Sequence, residues 1–144
     1  MSICLKERGE FEDFGAGSPG TLTTSAVCGI YCIPFACQLK GVLARLGAAG
    51  GTQATIVDVQ KNGSSIFSGG TKINFAASST TPTYGALTTN PTQFAKGDVV
   101  KIVVTQVGST PAPADLALAL NIQRLRGVYV VGGMVTDTLG LENE

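Results

Sequence analysis

The chain has 144 residues, enough for one domain with a hydrophobic core, and 44% of them are apolar while 14% are charged. Its formal net charge is zero, so we expect neither nucleic acid nor a membrane as a partner. Histidine is absent, which excludes a Ser-His-Asp triad, a Cys-His pair and a histidine metal site. We therefore expect a protein that is not an enzyme and has no cofactor.

Residues 1–19 are predicted to form an N-terminal arm. The first eight are too charged for a secretory signal, so we expect synthesis in a cytoplasm. The arm carries Ile3, Leu5, Phe11 and Phe14 and ends in a Gly-Ala-Gly-Ser-Pro-Gly break. Disordered tails are usually poor in aromatic residues, so we expect these side chains to dock on another subunit. The alternatives are that the arm straps back onto its own domain or is disordered.

Residues 20–124 are predicted to form a succession of short strands without a helical repeat. The expected strands span 21–25, 27–33, 38–46, 55–61, 64–67, 72–75, 98–107 and 115–123, with a long connection over 76–91. Between two of them, Asn62-Gly63 favours a type I′ hairpin turn. Alternation over 115–123 places Leu116, Leu118, Leu120 and Ile122 on one face. We expect that face to pack against Val57, Val59, Ile102 and Val104.

The pattern predicts an all-β fold, an antiparallel β-sandwich that is jelly-roll-like and has extended N- and C-terminal arms. Periodicity alone does not separate a jelly roll from an immunoglobulin-like sandwich. Residues 125–144 are the predicted C-terminal extension. Its Tyr129 and Val131 are expected to contact partners as the N-terminal arm does.

The acidic residues of the middle zone, Asp58, Asp98 and Asp115, are interpreted as surface and turn residues, with Asp58 facing solvent beside two core valines. The alternative is a carboxylate site for calcium or acid–base chemistry, but no D-x-D-x-D run is present. The basic side chains are interpreted as solvated sheet edges rather than a polyanion-binding face: Lys40, Arg45, Lys61, Lys72, Lys96 and Lys101.

Four cysteines, Cys4, Cys28, Cys32 and Cys37, raise the question of metal or disulfide. The C-x3-C-x4-C spacing of the last three matches no common zinc pattern. We interpret them as small buried hydrophobic residues of a reduced protein. One disulfide, within the chain or between subunits, and a metal site are the alternatives.

Several short motifs occur in a fixed order along the middle zone: Gly20-Thr21-Leu22, Ile33-Pro34-Phe35, the hairpin over 57–67, Phe94-Ala95-Lys96-Gly97-Asp98, Gln106-Val107-Gly108 and Ala114-Asp115-Leu116. Together they resemble a β-sandwich module found in structural proteins of tailed bacteriophages, and the resemblance covers residues 20–123. It implies a role in the virion, as a head cement (decoration) protein or as a domain of a tail fibre. It implies no catalytic residues.

The chain lacks the long shaft, collagen-like repeats and heptads of a fibre. We therefore expect a small multi-copy cement protein on the capsid surface, which stabilises the phage head by bridging neighbouring shell subunits. Its expected partners are the major capsid protein and further copies of itself in a homotrimer. The alternative is a receptor- or glycan-binding knob of a tail fibre, for which Tyr84 in the 76–91 connection is the one aromatic candidate.

Overall fold

The structure, a computed structural model, describes residues 11–125, 128–131 and 134–137. All regular secondary structure in these ranges is β-strand. The strands are β1 (Phe11–Thr21), β2 (Val27–Cys32), β3 (Cys37–Ala48), β4 (Thr55–Lys61), β5 (Ser64–Ser65), β6 (Ile73–Phe75), β7 (Thr83–Tyr84), β8 (Gln93–Phe94), β9 (Val99–Gln106), β10 (Ala114–Arg124), β11 (Val128–Val131) and β12 (Met134–Asp137).

Two antiparallel sheets form the sandwich. Sheet A has the strand order β1-β10-β3-β8, and sheet B has the order β2-β9-β4-β6-β7 with β5 paired to β4. Leaving aside β5 and β7, the first strand pairs with the last of the sandwich, the second with the one before it, and so on inward. The pairs are β1 with β10, β2 with β9, β3 with β8 and β4 with β6. A long hairpin that rolls up into two sheets has this connectivity, which is the jelly-roll topology. The predicted all-β, jelly-roll-like antiparallel sandwich is therefore confirmed.

The core lies between the two sheets. Leu116, Leu118, Leu120 and Ile122 of β10 are each 4% exposed or less. They belong to one hydrophobic cluster with the fully buried Val57, Val59, Ile102 and Val104 of sheet B. The alternation in the sequence therefore identified both inner faces, because a sheet with one face against a core buries every second residue.

The β4–β5 hairpin has the predicted turn. Asn62 has a φ of 50° and Gly63 a φ of 88°, so both central residues adopt the positive values that a type I′ turn requires. The Asn62 side chain reaches beyond the hairpin, because its Oδ1 accepts a hydrogen bond from the Val99 backbone N at 2.9 Å. The turn is thereby tied to the start of β9.

The N-terminal boundary differs from the prediction. From residue 11 onward the expected arm is strand β1, which pairs with β10 from Phe11 opposite Gln123 to Thr21 opposite Ala114. The Gly-Ala-Gly-Ser sequence has low strand propensity, but β-ladder hydrogen bonds use the backbone and need no β-branched side chain. The strand expected over 21–25 is a turn instead, in which the Ala26 N donates to the Thr23 carbonyl oxygen.

The predicted C-terminal extension contains a hairpin. Strands β11 and β12 pair with each other, from Val128 opposite Asp137 to Val131 opposite Met134. Leu125, before this hairpin, donates its backbone N–H to the Ala36 carbonyl oxygen at 2.8 Å.

Candidate binding surface

The predicted contact residues lie in different parts of the chain. Ile3 and Leu5 lie outside the described residues, Phe11 begins β1, and Tyr129 and Val131 lie in β11. Phe14 is half-buried and stacks on Tyr31 of β2, with ring centroids 5.7 Å apart and an interplanar angle of 19°. Within one chain Phe14 therefore packs against Tyr31, and its expected docking on another subunit stays a prediction.

The Phe14–Tyr31 stack closes the side of the sandwich where β1 and β2 meet. The Tyr31 hydroxyl donates a hydrogen bond to the Gly15 carbonyl oxygen, and burial raises the pKa of this phenol. A Cβ on Gly29 would lie 3.2 Å from the Cβ of Ala16, so the two strands approach closely at this point. This side is a packed seam between the sheets.

An apolar patch that the sequence analysis did not single out lies on the outer face of sheet B. Ile30 is 61% exposed, Val27 49% and Val99 39%. The register of β2 with β9 brings them together, because Cys32 lies opposite Val99, and Ile30 opposite Lys101. Cys32 is also exposed. We name these four residues, Val27, Ile30, Cys32 and Val99, the β2 surface.

The position of this patch at the edge of sheet B makes it a candidate docking site. β2 is the outermost strand of the sheet order, and β1 of the other sheet packs beside it through the Phe14–Tyr31 stack. Proteins normally protect such edges with charges, prolines or bulges, and an exposed apolar edge strand marks an interaction site. Lys101, half-buried on the neighbouring strand, is the charged residue on the Ile30 rung.

The outer face of sheet A has a different character. Gly15 and Gly17 of β1 lie opposite Ala119 and Ala117 of β10, which gives a nearly flat surface. Leu43 of β3 stands beside it and is 65% exposed. None of these residues has a polar side chain, so this part of the face offers a partner no side-chain hydrogen bond or ion pair.

Two clefts lie near the long connection between β5 and β8. One has a volume of about 540 Å³ and is lined by Lys61, Ile66 and Pro91 together with hydroxyl and amide side chains of residues 64–65, 88–90 and 92–93. Polar groups there are used within the chain, since Lys61 Nζ donates to the Gln93 carbonyl oxygen at 2.8 Å and Thr92 Oγ1 donates to the Thr89 carbonyl oxygen at 2.8 Å. We therefore interpret these hydrogen bonds as holding the loop in place rather than as part of a ligand site.

The second cleft, of about 280 Å³, holds the aromatic candidate for glycan binding. Tyr84 is 42% exposed at its rim, beside Val42 and Leu87. The Tyr84 hydroxyl accepts a hydrogen bond from the Ala44 backbone N at 2.9 Å, which fixes β7 against β3. The exposed ring could therefore contact a ligand. Its hydroxyl oxygen already accepts one hydrogen bond within the chain.

Asp58 corrects a prediction, because it is buried rather than solvent-facing, with 2% exposure. Its Oδ1 accepts a hydrogen bond from Ser65 Oγ at 2.6 Å, and its Oδ2 lies 3.6 Å from Lys72 Nζ. Gln60 Nε2 donates to the same Oδ2 at 3.3 Å. Residues from β5 and from the segment before β6 thus cover the outer face of β4, and Lys72 serves as an ion-pair partner rather than a solvated edge residue.

Asp98 and Asp115 have local structural roles. Asp98 accepts hydrogen bonds from Asn62 Nδ2 at 3.0 Å and from the Ala95 backbone N at 2.8 Å. These bonds, the Asn62 one foremost, hold the pKa of Asp98 below its usual value. Asp115 Oδ1 accepts from the Gly20 backbone N at 2.7 Å. Each carboxylate is engaged in holding a turn, as the interpretation of these residues had it.

The cysteines differ in exposure. Cys37 is buried, as interpreted, whereas Cys28 is half-buried and Cys32 exposed, so the prediction was wrong for Cys32. These three form no disulfide with one another, and Cys4 lies outside the described residues. Burial raises the pKa of the Cys28 thiol, partly offset by its hydrogen bond with Ser18.

Comparison with known proteins finds no matching family model, no matching curated protein and no matching solved structure. Among the residues that the structure describes, no helix is long and apolar enough to cross a membrane. Over the same ranges no group of three or more cysteine, aspartate or glutamate side chains is placed to hold a metal ion. The β2 surface is the candidate site because it is an exposed apolar patch on the outermost strand of sheet B.

Proposed function

We propose that the protein is a virion structural protein, a capsid cement or decoration protein that stabilises a phage head by bridging neighbouring shell subunits. The observation that carries the proposal is the β2 surface, an exposed apolar edge on a well-packed jelly roll. Jelly rolls recur in viral capsid proteins and in lectins, so the fold is compatible with this role without specifying it. The phage resemblance of the motifs over 20–123 points the same way.

The mechanism is thermodynamic linkage. A protein that binds the assembled shell but not its separated subunits stabilises the shell by its binding free energy. Each contact can be modest, since many copies on one head act together. In this proposal the protein performs no chemistry, and Asp58, Asp98 and Asp115 serve the fold.

The partners in this proposal are the major capsid protein and further copies of the chain in a homotrimer. The β2 surface takes one apolar partner, and the segment before β1, with Ile3 and Leu5, provides a second contact. The protein is made in the host cytoplasm and resides on the capsid surface. Neutral net charge fits this assembly, because copies do not repel one another at long range.

Co-sedimentation with heads that lack the protein tests the proposal. Ile30→Lys places a charge in the β2 surface and should weaken binding at least tenfold. The matched control is Leu43→Lys, an equally exposed leucine on the other sheet, which should bind as the unmodified protein does. Equal binding by both variants, with both folded by circular dichroism, would remove the β2 surface from the proposal.

The contribution of the N-terminal segment is tested separately by deleting residues 1–10, which precede β1. The sandwich should remain folded with an unchanged unfolding midpoint, while head binding falls. Full retention of binding would show that Ile3 and Leu5 make no contact with the shell.

The second candidate function is a glycan-binding knob, favoured by the exposed Tyr84 ring beside its cleft. Aromatic rings that remain open to solvent are common platforms for apolar sugar faces. Specific binding on a glycan array that is lost in Tyr84→Ala would support this function. No binding on the array, together with head binding, would support the cement function instead.

A further inference from the structure

We propose that β1 is exchanged between copies of the chain, so that residues 11–18 of one copy pair with β10 of another in the register observed within one chain. This deepens the proposed function, on which it rests for its role in the virion, by naming the element that joins copies to one another. The occupant of the site beside β10 is therefore the β1 strand of a second copy.

The first argument is that β1 contributes little to the hydrophobic core. None of its residues from 14 onward belongs to the buried core, which begins with Leu22 at 2% exposure. Phe14 and Ala16 are partly buried and pack against the edge of the cluster. Because the sandwich core is made by other strands, release of β1 leaves that core in place.

The second argument is that β10 holds β1 mainly through backbone hydrogen bonds of the β-ladder. The β1–β10 ladder runs from Phe11 opposite Gln123 to Ser18 opposite Leu116 without a register shift. Gly15 and Gly17 add no side chain on its outer face. An identical strand from a second copy makes the same hydrogen bonds and the same Phe14 contact, so the exchange conserves the contacts already present.

The third argument is the short hinge between β1 and the anchored chain that follows it. The register shifts between Ser18 and Thr21, where Pro19 and Gly20 intervene, and Gly20 has a φ of 84°. The chain is anchored from Gly20 onward, because the Gly20 backbone N donates to Asp115 Oδ1 at 2.7 Å and the Leu22 backbone N donates to the Pro113 carbonyl oxygen at 2.9 Å. Short hinges next to a peripheral strand favour exchange, since an extended hinge carries the strand away from its own domain.

Disulfide trapping distinguishes pairing within a chain from pairing between chains. Gly17 and Ala117 lie opposite each other on the outer face, and a Cβ on Gly17 would have no neighbour nearer than the Leu116 carbonyl oxygen at 3.7 Å. The full chain carries Cys4→Ser, Cys28→Ser and Cys32→Ser, and two differently tagged forms are prepared, one with Gly17→Cys and one with Ala117→Cys. The two forms are co-expressed and oxidised.

Exchange predicts a covalent heterodimer of the two forms on a denaturing non-reducing gel. The control replaces Ala117→Cys by Thr105→Cys, an exposed position on the other sheet, and should give only background cross-linking. The pair Gly15→Cys and Ala119→Cys, also opposite each other, repeats the test if the first pair fails to fold.

Two results would overturn the exchange. One is a heterodimer yield no higher than that of the Thr105→Cys control, with the same cysteines in a single chain forming only an internal disulfide. The other is a monomeric mass for the unmodified protein by light scattering at every concentration examined. Head binding by a protein that gives either result would leave the cement function standing and remove only the exchanged strand.

Discussion

At the scale of single residues, Asp58 shows why a strand pattern can mislead about burial. It alternates with Val57 and Val59, which are fully buried, so a two-layer sheet should place it in solvent. Ser65 and Lys72 come from later in the chain and cover it. Burial of a charge is tolerated only with such partners, and the sequence does not say which distant residues provide them.

The hydrogen bond from Ser65 to Asp58 should be measurable in stability. Ser65→Ala removes the 2.6 Å bond to Asp58 and the bond that Ser65 Oγ accepts from the Phe67 backbone N at 3.1 Å, so the free energy of unfolding should fall by about 1–3 kcal/mol. The adjacent Ser64→Ala, at an exposed position, should change it by less than about 0.5 kcal/mol. Urea unfolding of both variants checks this, and equal losses would contradict the assigned role of Ser65.

Asp98 should make stability depend on pH in the acid range. Its folded pKa is lowered, chiefly by the Asn62 hydrogen bond, so its stabilisation is fully present above the unfolded pKa of about 4. As pH falls through the lower folded pKa, that stabilisation is lost. The difference in unfolding free energy between the unmodified protein and Asp98→Asn should therefore shrink below about pH 4. A difference that stays constant through the acid range would count against the lowered pKa.

At the scale of elements, local patterns predicted some strands well and others not at all. The β4–β5 hairpin and the inner face of β10 follow from Asn62-Gly63 and from strict alternation, both of which are local properties. Strand β1 was missed because it is held mainly by the ladder with β10, a distant strand that its own sequence pattern does not reveal. The β2 surface was missed for a similar reason, since the alternation in β2 does not show that the strand lies at an edge.

The loops at one end of the sandwich depend on close backbone contact between elements. A Cβ on Gly108 would overlap the carbonyl oxygens of Gln53 and Gly51. Gly108→Ala should therefore lower the unfolding free energy by about 1–3 kcal/mol, as overpacking does. Gly41→Ala, with nothing within 4 Å of the added carbon, should leave it within about 0.5 kcal/mol. Thermal unfolding of both variants measures the difference, and a Gly108→Ala protein as stable as the control would contradict the close contact.

At the scale of the whole molecule, nested strand pairing gives one core shared by both sheets. The fold class was predictable because period-two alternation and turn residues recur along the chain. The strand order could not be predicted in the same way, because the same alternation is compatible with several sandwich topologies. It depends on which distant strands pair, and β1 with β10 joins residues about a hundred positions apart.

A single core predicts that one leucine matters far more than another of the same type. Leu118→Ala, at 4% exposure, should lower the unfolding free energy by about 2–5 kcal/mol through lost burial and the cavity left behind. Leu43→Ala, at 65% exposure on the neighbouring strand, should cost less than about 0.5 kcal/mol. Urea titrations followed by tyrosine fluorescence and by circular dichroism should give coincident transitions for both. Separate transitions would mean that the sheets do not share one core.

The exposed thiol of Cys32 provides a natural chemical reporter. In a Cys4→Ser, Cys28→Ser background, a maleimide dye reacts with it at a rate set by solvent access to the C-terminal end of β2. Whatever covers that edge, in solution or on a particle, slows the labelling in proportion to its occupancy. The molecule thus carries its own footprinting probe, which reads out contact at this edge without a new cysteine having to be introduced.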